Sequence, residues 1–495
     1  MEKEKHHIIQ GFQVEINVSN KRIGQAAADQ TQYIMKNKII PITEKVLDEW
    51  SDENTHIQLD RLEIDLGAIP FDDLAHEMPD LFETKIKETL KSLFSQRQKI
   101  EEESLVHVEY PQVLLDQLIF FLQKGHFPWH LHVAYKDPDE MVLKLLNDDS
   151  SQLIKQLKPL LISDDVLNRL VRSLHSDTVD LFLAEIAFSD AATQAMLLIG
   201  ELARFNHMQN IHLSRKQIEA VVYRQAIKRA ALGQIVFTGK SVAKTVSELL
   251  SFFNYDRKQI PGYVRQFSMF AKSERFLTQF VDVIDELKKQ GKLDELDRPD
   301  PAIDESRKKR KTDKKVAEQE QGKEQVEDSM ICNLDNAGLV LLYPYLKHLF
   351  ERLNWMENNQ FINENRRAQA VLLTDYLVYG EQNFVSEHRL GLNKILCGMQ
   401  IQEAIDPLVE IGEQEKEEAD ELLISAIKHW STLKNTSADG YRYSFLKRDG
   451  VLKFVNESWQ LNVERKSYDM LMESLPFTIG IIQLPWMNHK LKVEW

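Results

Sequence analysis

Apolar and polar residues alternate from Phe12 to Val18, with Phe12, Val14, Ile16 and Val18 on one face, and this period of two predicts a half-buried strand. A helical period follows from about Ile23 through Ala26, Ala27, Ile34 and Met35. It breaks before Pro41 and resumes through Ile42, Val46, Leu47 and Trp50, which predicts a helix interrupted or kinked at the proline. In His56–Gly67 the apolar set shifts from odd positions (Ile57, Leu59) to even ones (Leu62, Ile64, Leu66), as a strand with a bulge near Asp60 and Arg61 would require. Phe71 to Gln98 is helical again, so residues 1–103 are expected to form a β-α-β-α domain.

From Ser104 to Leu296 every pattern is helical, as in Val113, Leu114, Leu118, Phe121 and Leu122, with breaks at Gly125, Pro128, Pro138, Pro159 and Pro261. Residues 104–297 are thus expected to be a helical middle region, and no repeat of fixed period is evident in them. Residues 298–328 hold nine basic and nine acidic residues and almost nothing large and apolar, so burial cannot offset the entropy of ordering them. A charged, disordered linker is expected there. Its basic run Arg307–Lys311 is neutralised by flanking acids and reads as solvated linker instead of a nucleic-acid patch.

Residues 329–495 read as an α+β domain. Leu339, Leu342, Leu346, Leu349, Phe350 and Leu353 make one amphipathic helix, which Pro344 would kink unless the helix starts there. Leu422, Leu423, Ala426, Ile427 and Trp430 make another. After the polar cluster 435–440, Leu452 and Phe454 pair across Asn456-Glu457-Ser458 with Trp459, Leu461 and Val463 in a β-hairpin. A short helix around Tyr468–Leu475 and a strand around Ile479–Leu484 complete the domain. The fold class expected is mainly α with α+β ends.

With 495 residues, 43% hydrophobic and 28% charged, the chain has the composition of a multi-domain globular protein. Its net charge of −15 repels phosphate backbones and argues against nucleic acid as a partner. The two cysteines, Cys332 and Cys397, are too few for a disulfide framework and too isolated for a zinc cluster, which suits a reducing compartment. No export signal and no run of about 18 apolar residues is read, so no membrane insertion is expected and the place of synthesis, the cytoplasm, is the expected location.

Candidate chemistry is sparse. Gly233–Ser241 (GQIVFTGKS) has glycine, Gly-Lys and serine, but five residues separate its glycines where a phosphate loop has four, and a helical pattern precedes it where a strand should stand. An inter-helix turn is expected. Asp60, Glu63 and Asp65 offer a carboxylate cluster for acid/base work or a hard cation, but Glu63 and Asp65 lie on the solvent face of the expected strand, where Arg61 can pair with them, and His126, His130 and His132 lie beside Pro128 and Trp129 without completing a metal motif. Neither cysteine has a nucleophile signature and no GxSxG elbow occurs. No catalytic, cofactor-binding or metal residue is assigned, no cofactor is expected, and an enzyme is not indicated.

The two ends carry more. His7-Ile8-Ile9 and Leu59–Gly67 at the start, then Leu341–Phe350, Arg366–Leu373, Asn393–Gly398, Glu417–Leu423, His429-Trp430, Leu433–Ser437, Phe445–Gly450, Leu475-Pro476-Phe477 and Leu484-Pro485-Trp486-Met487, in this order, resemble the contractile injection system tape measure proteins. The resemblance covers about the first hundred residues and nearly all of 330–495. Phe477 departs from the tryptophan the first Leu-Pro-aromatic motif would carry. The resemblance implies a structural protein of a phage-tail-like particle whose length limits tube and sheath growth. It implies as partners the inner-tube protein, baseplate or hub components and the tube cap, and as final location the lumen of the tube. An adaptor or chaperone for baseplate or cargo, without a measuring role, stays open as the alternative. Trp430, Phe445, Trp459, Trp486 and Trp495 are expected in the core of the last domain, and Arg442 and Arg448 are expected to pair with local carboxylates.

Overall fold

Helix α1 (Lys21–Ile34) runs through a five-residue π turn (Met35–Ile39) into α2 (Ile40–Trp50), so Pro41 bends the path without ending it. The Ile40 N–H reaches back five residues to Met35 O, and this wide turn absorbs the misfit ahead of the proline. In this computed structural model the described residues are 14–16, 21–50, 55–57, 62–96, 107–128, 137–187, 190–209, 211, 213–252, 262–263, 266–267, 270, 289, 331–382, 384–433 and 436–495. The linker expected at 298–328 lies outside them, as do Asp60, Arg61, His130 and His132. The chain divides into two compact units, residues 1–116 with 130–134 and residues 117–129 with 135–495.

In the first unit, α3 (Leu74–Gln96) packs against α1 and α2 around Ile34, Ile39, Val46, Met78, Phe82, Ile86 and Leu90. Pro79 inside α3 has no N–H to give to the Ala75 carbonyl, and Lys38 Nζ satisfies that oxygen instead at 3.0 Å. The β-α-β-α order is not seen among the described residues. Residues 14–16 have no regular structure, and Val14 and Ile16 are exposed. Leu62, Ile64 and Leu66 do alternate with exposed Glu63 and Asp65 and pack on the helical core, but as an extended segment with no partner strand among the described residues. Alternation records which face is covered, not whether a ladder forms. Among the described residues of this unit, β1 (Thr55–Ile57) pairs antiparallel with β2 (His107–Glu109), the latter in the stretch expected to be wholly helical.

The second unit begins within α4 (Tyr110–Lys124) and continues through α5 (Pro138–Leu157), α6 (Asp164–Ser173), α7 (Ser176–Ala187), α8 (Ala191–Met208), α9 (Arg215–Ala231) and α10 (Gly239–Phe252). Caps set several starts. Asp137 caps α5 ahead of Pro138, and Ser214 and Gln217 form a reciprocal capping box on α9. The helical reading of the middle is borne out in these helices.

Beyond residue 330, β3 (Ile331–Leu334) leads through a 3₁₀ turn (Ala337–Leu342) into α11 (Tyr343–Arg352), whose first turn holds Pro344, where its missing N–H costs no helical bond. There follow the small hairpin β4 (Met356–Glu357) and β5 (Gln360–Phe361), then α12 (Glu364–Tyr379), α13 (Gly391–Leu396) and α14 (Glu413–His429). The expected hairpin is β6 (Gly450–Val455) and β7 (Ser458–Val463), in the register Leu452↔Leu461 and Phe454↔Trp459. Asn456 and Glu457 both take positive φ, 49° and 56°, as a tight two-residue turn matching the strand twist demands. The expected helix near Tyr468 is a 3₁₀ helix (Ser467–Ser474), the strand expected around Ile479–Leu484 is the two-residue β8 (Ile481–Ile482), and a further strand that the pattern did not predict, β9 (Leu491–Glu494), follows it. The five strands lie in the order β3-β6-β7-β9-β8, antiparallel except for β7 with β9. The protein is mainly helical with this small C-terminal sheet.

Candidate functional site

The segment from Gly398 to Gly412 has no helix or strand, yet Met399, Ile401, Ile405, Leu408 and Val409 are buried. A buried loop must find donors for its carbonyls, and here they are side chains. Lys394 Nζ reaches Ile401 O at 3.0 Å and Glu403 O at 2.7 Å. Arg169 of α6 donates to Gln402 O at 2.8 Å, and Gln217 of α9 to Leu408 O at 3.1 Å. Arg172 approaches Asp406 O and Val409 O at 3.4 Å each, and Gln369 donates to Glu410 O at 2.8 Å. Helices of the middle region thus hold this C-terminal loop, and both belong to the same compact unit.

At the centre, Glu387 takes Lys394 Nζ at 2.6 Å and Arg169 Nε at 3.1 Å on one oxygen, with all three side chains essentially unexposed. Its other oxygen accepts from Ile405 N at 3.4 Å, and Arg169 also donates to Leu122 O. Burial alone would raise the Glu387 carboxyl, but Lys394 and Arg169 outweigh it and hold it below the usual carboxylate range. Burial lowers Lys394, and Glu387 offsets this only in part. Arg224 adds an outer bond to Asp406 at 3.3 Å and pairs with Glu248. Gly125, at φ +83°, lets the end of α4 close on this cluster: a Cβ there would stand 2.5 Å from Ile401 O.

A second polar chain runs beside it. Thr374 Oγ1 accepts from Asn393 at 3.0 Å, and Asn393 Oδ1 from Asn336 at 2.8 Å. Asp375 is buried, which raises its carboxyl to about 6 despite Arg389 at 3.1 Å. Each of these carboxylates is matched by a cation: Glu387 by Lys394 and Arg169, Asp406 and Glu248 by Arg224, and Asp375 by Arg389. The chemistry of the cluster is fastening.

The sequence-derived candidates fall elsewhere. Gly233, at φ +68°, ends α9, and Thr238 and Ser241 cap α10, so GQIVFTGKS is the inter-helix turn expected. His126 is buried with Nδ1 3.0 Å from Phe127 O, and burial lowers its pKa. Cys332 and Cys397 are buried free thiols, and burial pushes Cys332 up to about 12. Among the described residues no group of three or more His, Cys, Asp and Glu could hold a metal ion. Arg442 pairs with Asp420 at 2.9 Å and Asp439 at 3.1 Å, and Arg448 pairs with Asp469, as expected. Trp430, Phe445 and Trp486 are buried, with Trp459 and Trp495 half-buried against the same core.

The fastening residues Arg169 and Glu387 were not singled out by sequence. A signal existed for Arg169, which sits among Val166, Leu167, Leu170 and Val171 on the apolar side of α6, and for Lys394, which precedes Ile395-Leu396-Cys397. Glu387 gives none.

A family model described as "Contractile injection system tape measure protein" matches residues 6–495. No curated protein and no solved structure matches the chain.

Proposed function

This chain belongs to the contractile injection system tape measure proteins, and within that structural, length-determining role we propose that it measures in an opened state in which the loop at 398–412 has been released from the helical middle. The family match over nearly the whole chain carries the reading. The inner-tube protein, baseplate or hub and tube cap are the partners proposed, with assembly in the cytoplasm and final residence in the tube lumen. No catalytic step is involved.

The physical argument concerns residues 253–330, whose two flanks are held in one compact unit by the contacts of Arg169, Arg172 and Gln217. While these contacts persist, adding residues between the flanks loops out chain without lengthening the span. Only release turns added residues into added length. Release costs no more than the global stability of a domain, about 5–15 kcal/mol, which contacts along a tube can offset.

The test deletes or duplicates the 31 residues 298–328 and measures particle lengths by electron microscopy. An opened ruler changes length by roughly 45 Å if that segment is helical or about 100 Å if extended, in whole rings. Particles assembled at normal yield with unchanged length in both variants would overturn the opened-state reading. Unchanged length after deletions throughout 104–296 as well would overturn measuring itself.

A further inference from the structure

Lys394, Arg169, Arg224 and Arg172 converge on the segment 398–412, and the first three have counter-ions. Glu387 holds Lys394 at 2.6 Å and Arg169 at 3.1 Å, while Arg224 has Asp406 at 3.3 Å together with Glu248. Arg172, one turn beyond Arg169 on α6, makes no ion pair among the described residues. The neighbouring carboxylates are engaged elsewhere. Asp406 turns its side chain to Arg224 and to Leu408 N at 2.9 Å, and Glu387 gives its second oxygen to Ile405 N. Arg172 meets only backbone, Asp406 O and Val409 O at 3.4 Å each. That is longer than the roughly 2.7–3.2 Å of a well-formed N–H···O bond. Its Nε is buried and has no hydrogen-bond partner among the described residues. Desolvation outweighs the pull of Glu387, Asp406, Glu410 and Asp375 and holds the guanidinium below the usual arginine range.

We propose that Arg172 is the release point of this fastening, a cation without a counter-ion that makes the closed arrangement of 398–412 easier to leave. The proposal rests on the opened-state reading and adds what regulates the opening. Taking an ion out of water is unfavourable unless a counter-ion or well-formed hydrogen bonds replace its hydration, and Arg172 has neither. Opening parts Arg169 from Glu387, which opposes release, and returns Arg172 to water, which favours it. Two arginines three residues apart on one helix thus act in opposite directions: Arg169 fastens, and Arg172 limits how tightly. The bonds that Arg172 makes do not reverse this balance. Asp406 O keeps the Val409 N–H at 3.0 Å without it, so removing the guanidinium leaves at most the Val409 carbonyl short of a donor.

Amide hydrogen exchange of the purified full chain tests this, read at Ile405, whose N–H is bonded to Glu387, and at Leu408 and Val409, whose N–H groups are bonded to Asp406. Arg172→Met keeps an unbranched side chain and removes the charge, and exchange at these amides should slow by roughly tenfold or more. Arg169→Met strips Glu387 of one of its two cations and should speed exchange instead. Arg172→Lys retains a cation and should not slow it. Exchange that is unchanged or faster in Arg172→Met, slowed as much in Arg172→Lys, or slowed in Arg169→Met would each overturn the proposal. No particle enters the measurement, so such a failure falls on Arg172, whereas unchanged particle lengths fall on the measuring role.

Discussion

Lys394 Nζ lies 2.6 Å from Glu387 Oε1 with both side chains shut off from water, and Arg169 approaches the same carboxylate oxygen from a helix more than two hundred residues earlier in the chain. Two cations share one anion. Removing either partner is therefore predicted to be costly. Glu387→Gln leaves two buried like charges and should cost about 3–5 kcal/mol. Lys394→Met keeps the Arg169–Glu387 pair but strands the Ile401 and Glu403 carbonyls, at about 1–3 kcal/mol each. Urea unfolding of the two variants measures the losses, and a loss below about 0.5 kcal/mol in either, as at an ordinary surface site, would refute this account of the cluster.

Asp375 supplies a pH dependence. Burial holds its carboxyl at about 6, above the 3.8 of a free carboxyl, so between these values the folded chain holds a proton that the unfolded chain has lost. Its contribution to stability is then largest at low pH and declines as pH rises towards 6. Asp375→Asn should remove that decline. The stability of the variant relative to the native chain is expected to increase from about pH 4 to about pH 6 and then level off. A flat difference across that window would contradict the burial argument.

Two glycines should respond oppositely to alanine. Gly125→Ala would force a positive φ on a side chain whose Cβ meets Ile401 O at 2.5 Å, and a loss of about 1–3 kcal/mol is expected. Gly200 lies within α8 with nothing within 4 Å of an added Cβ, so Gly200→Ala should stabilise by about 0.5–1 kcal/mol. Thermal melts of both variants decide it.

Trypsin is expected to cut first within the charged segment 298–328, which holds many lysines and arginines and almost nothing large and apolar. The halves should nevertheless stay together on a sizing column, because Arg169–Glu387, Arg224–Asp406 and Gln217–Leu408 join them across the cut. Urea should then separate them. Halves that part without denaturant would show that these contacts do not fasten the unit.

The sequence by itself determined the elements whose causes are local. The β6–β7 hairpin follows from alternation flanking a two-residue turn, α11 holds Pro344 in its first turn because proline lacks an N–H, and the GQIVFTGKS segment is a turn because its glycine spacing and preceding helix exclude a phosphate loop. Tertiary structure decided whatever depends on a distant partner. Leu62, Ile64 and Leu66 have strand spacing but lie on a helical core without a ladder among the described residues, β9 pairs directly and in parallel with β7 although β8 comes between them in the chain, and Pro79 is tolerated because Lys38 serves the carbonyl it abandons. The fastening of residues 398–412 is the plainest case. An arginine among valines and leucines, a lysine before an apolar run and an unremarkable glutamate acquire their meaning only when folding brings them within 3.1 Å, since the free energy of a buried charge depends on which other charges share its low dielectric.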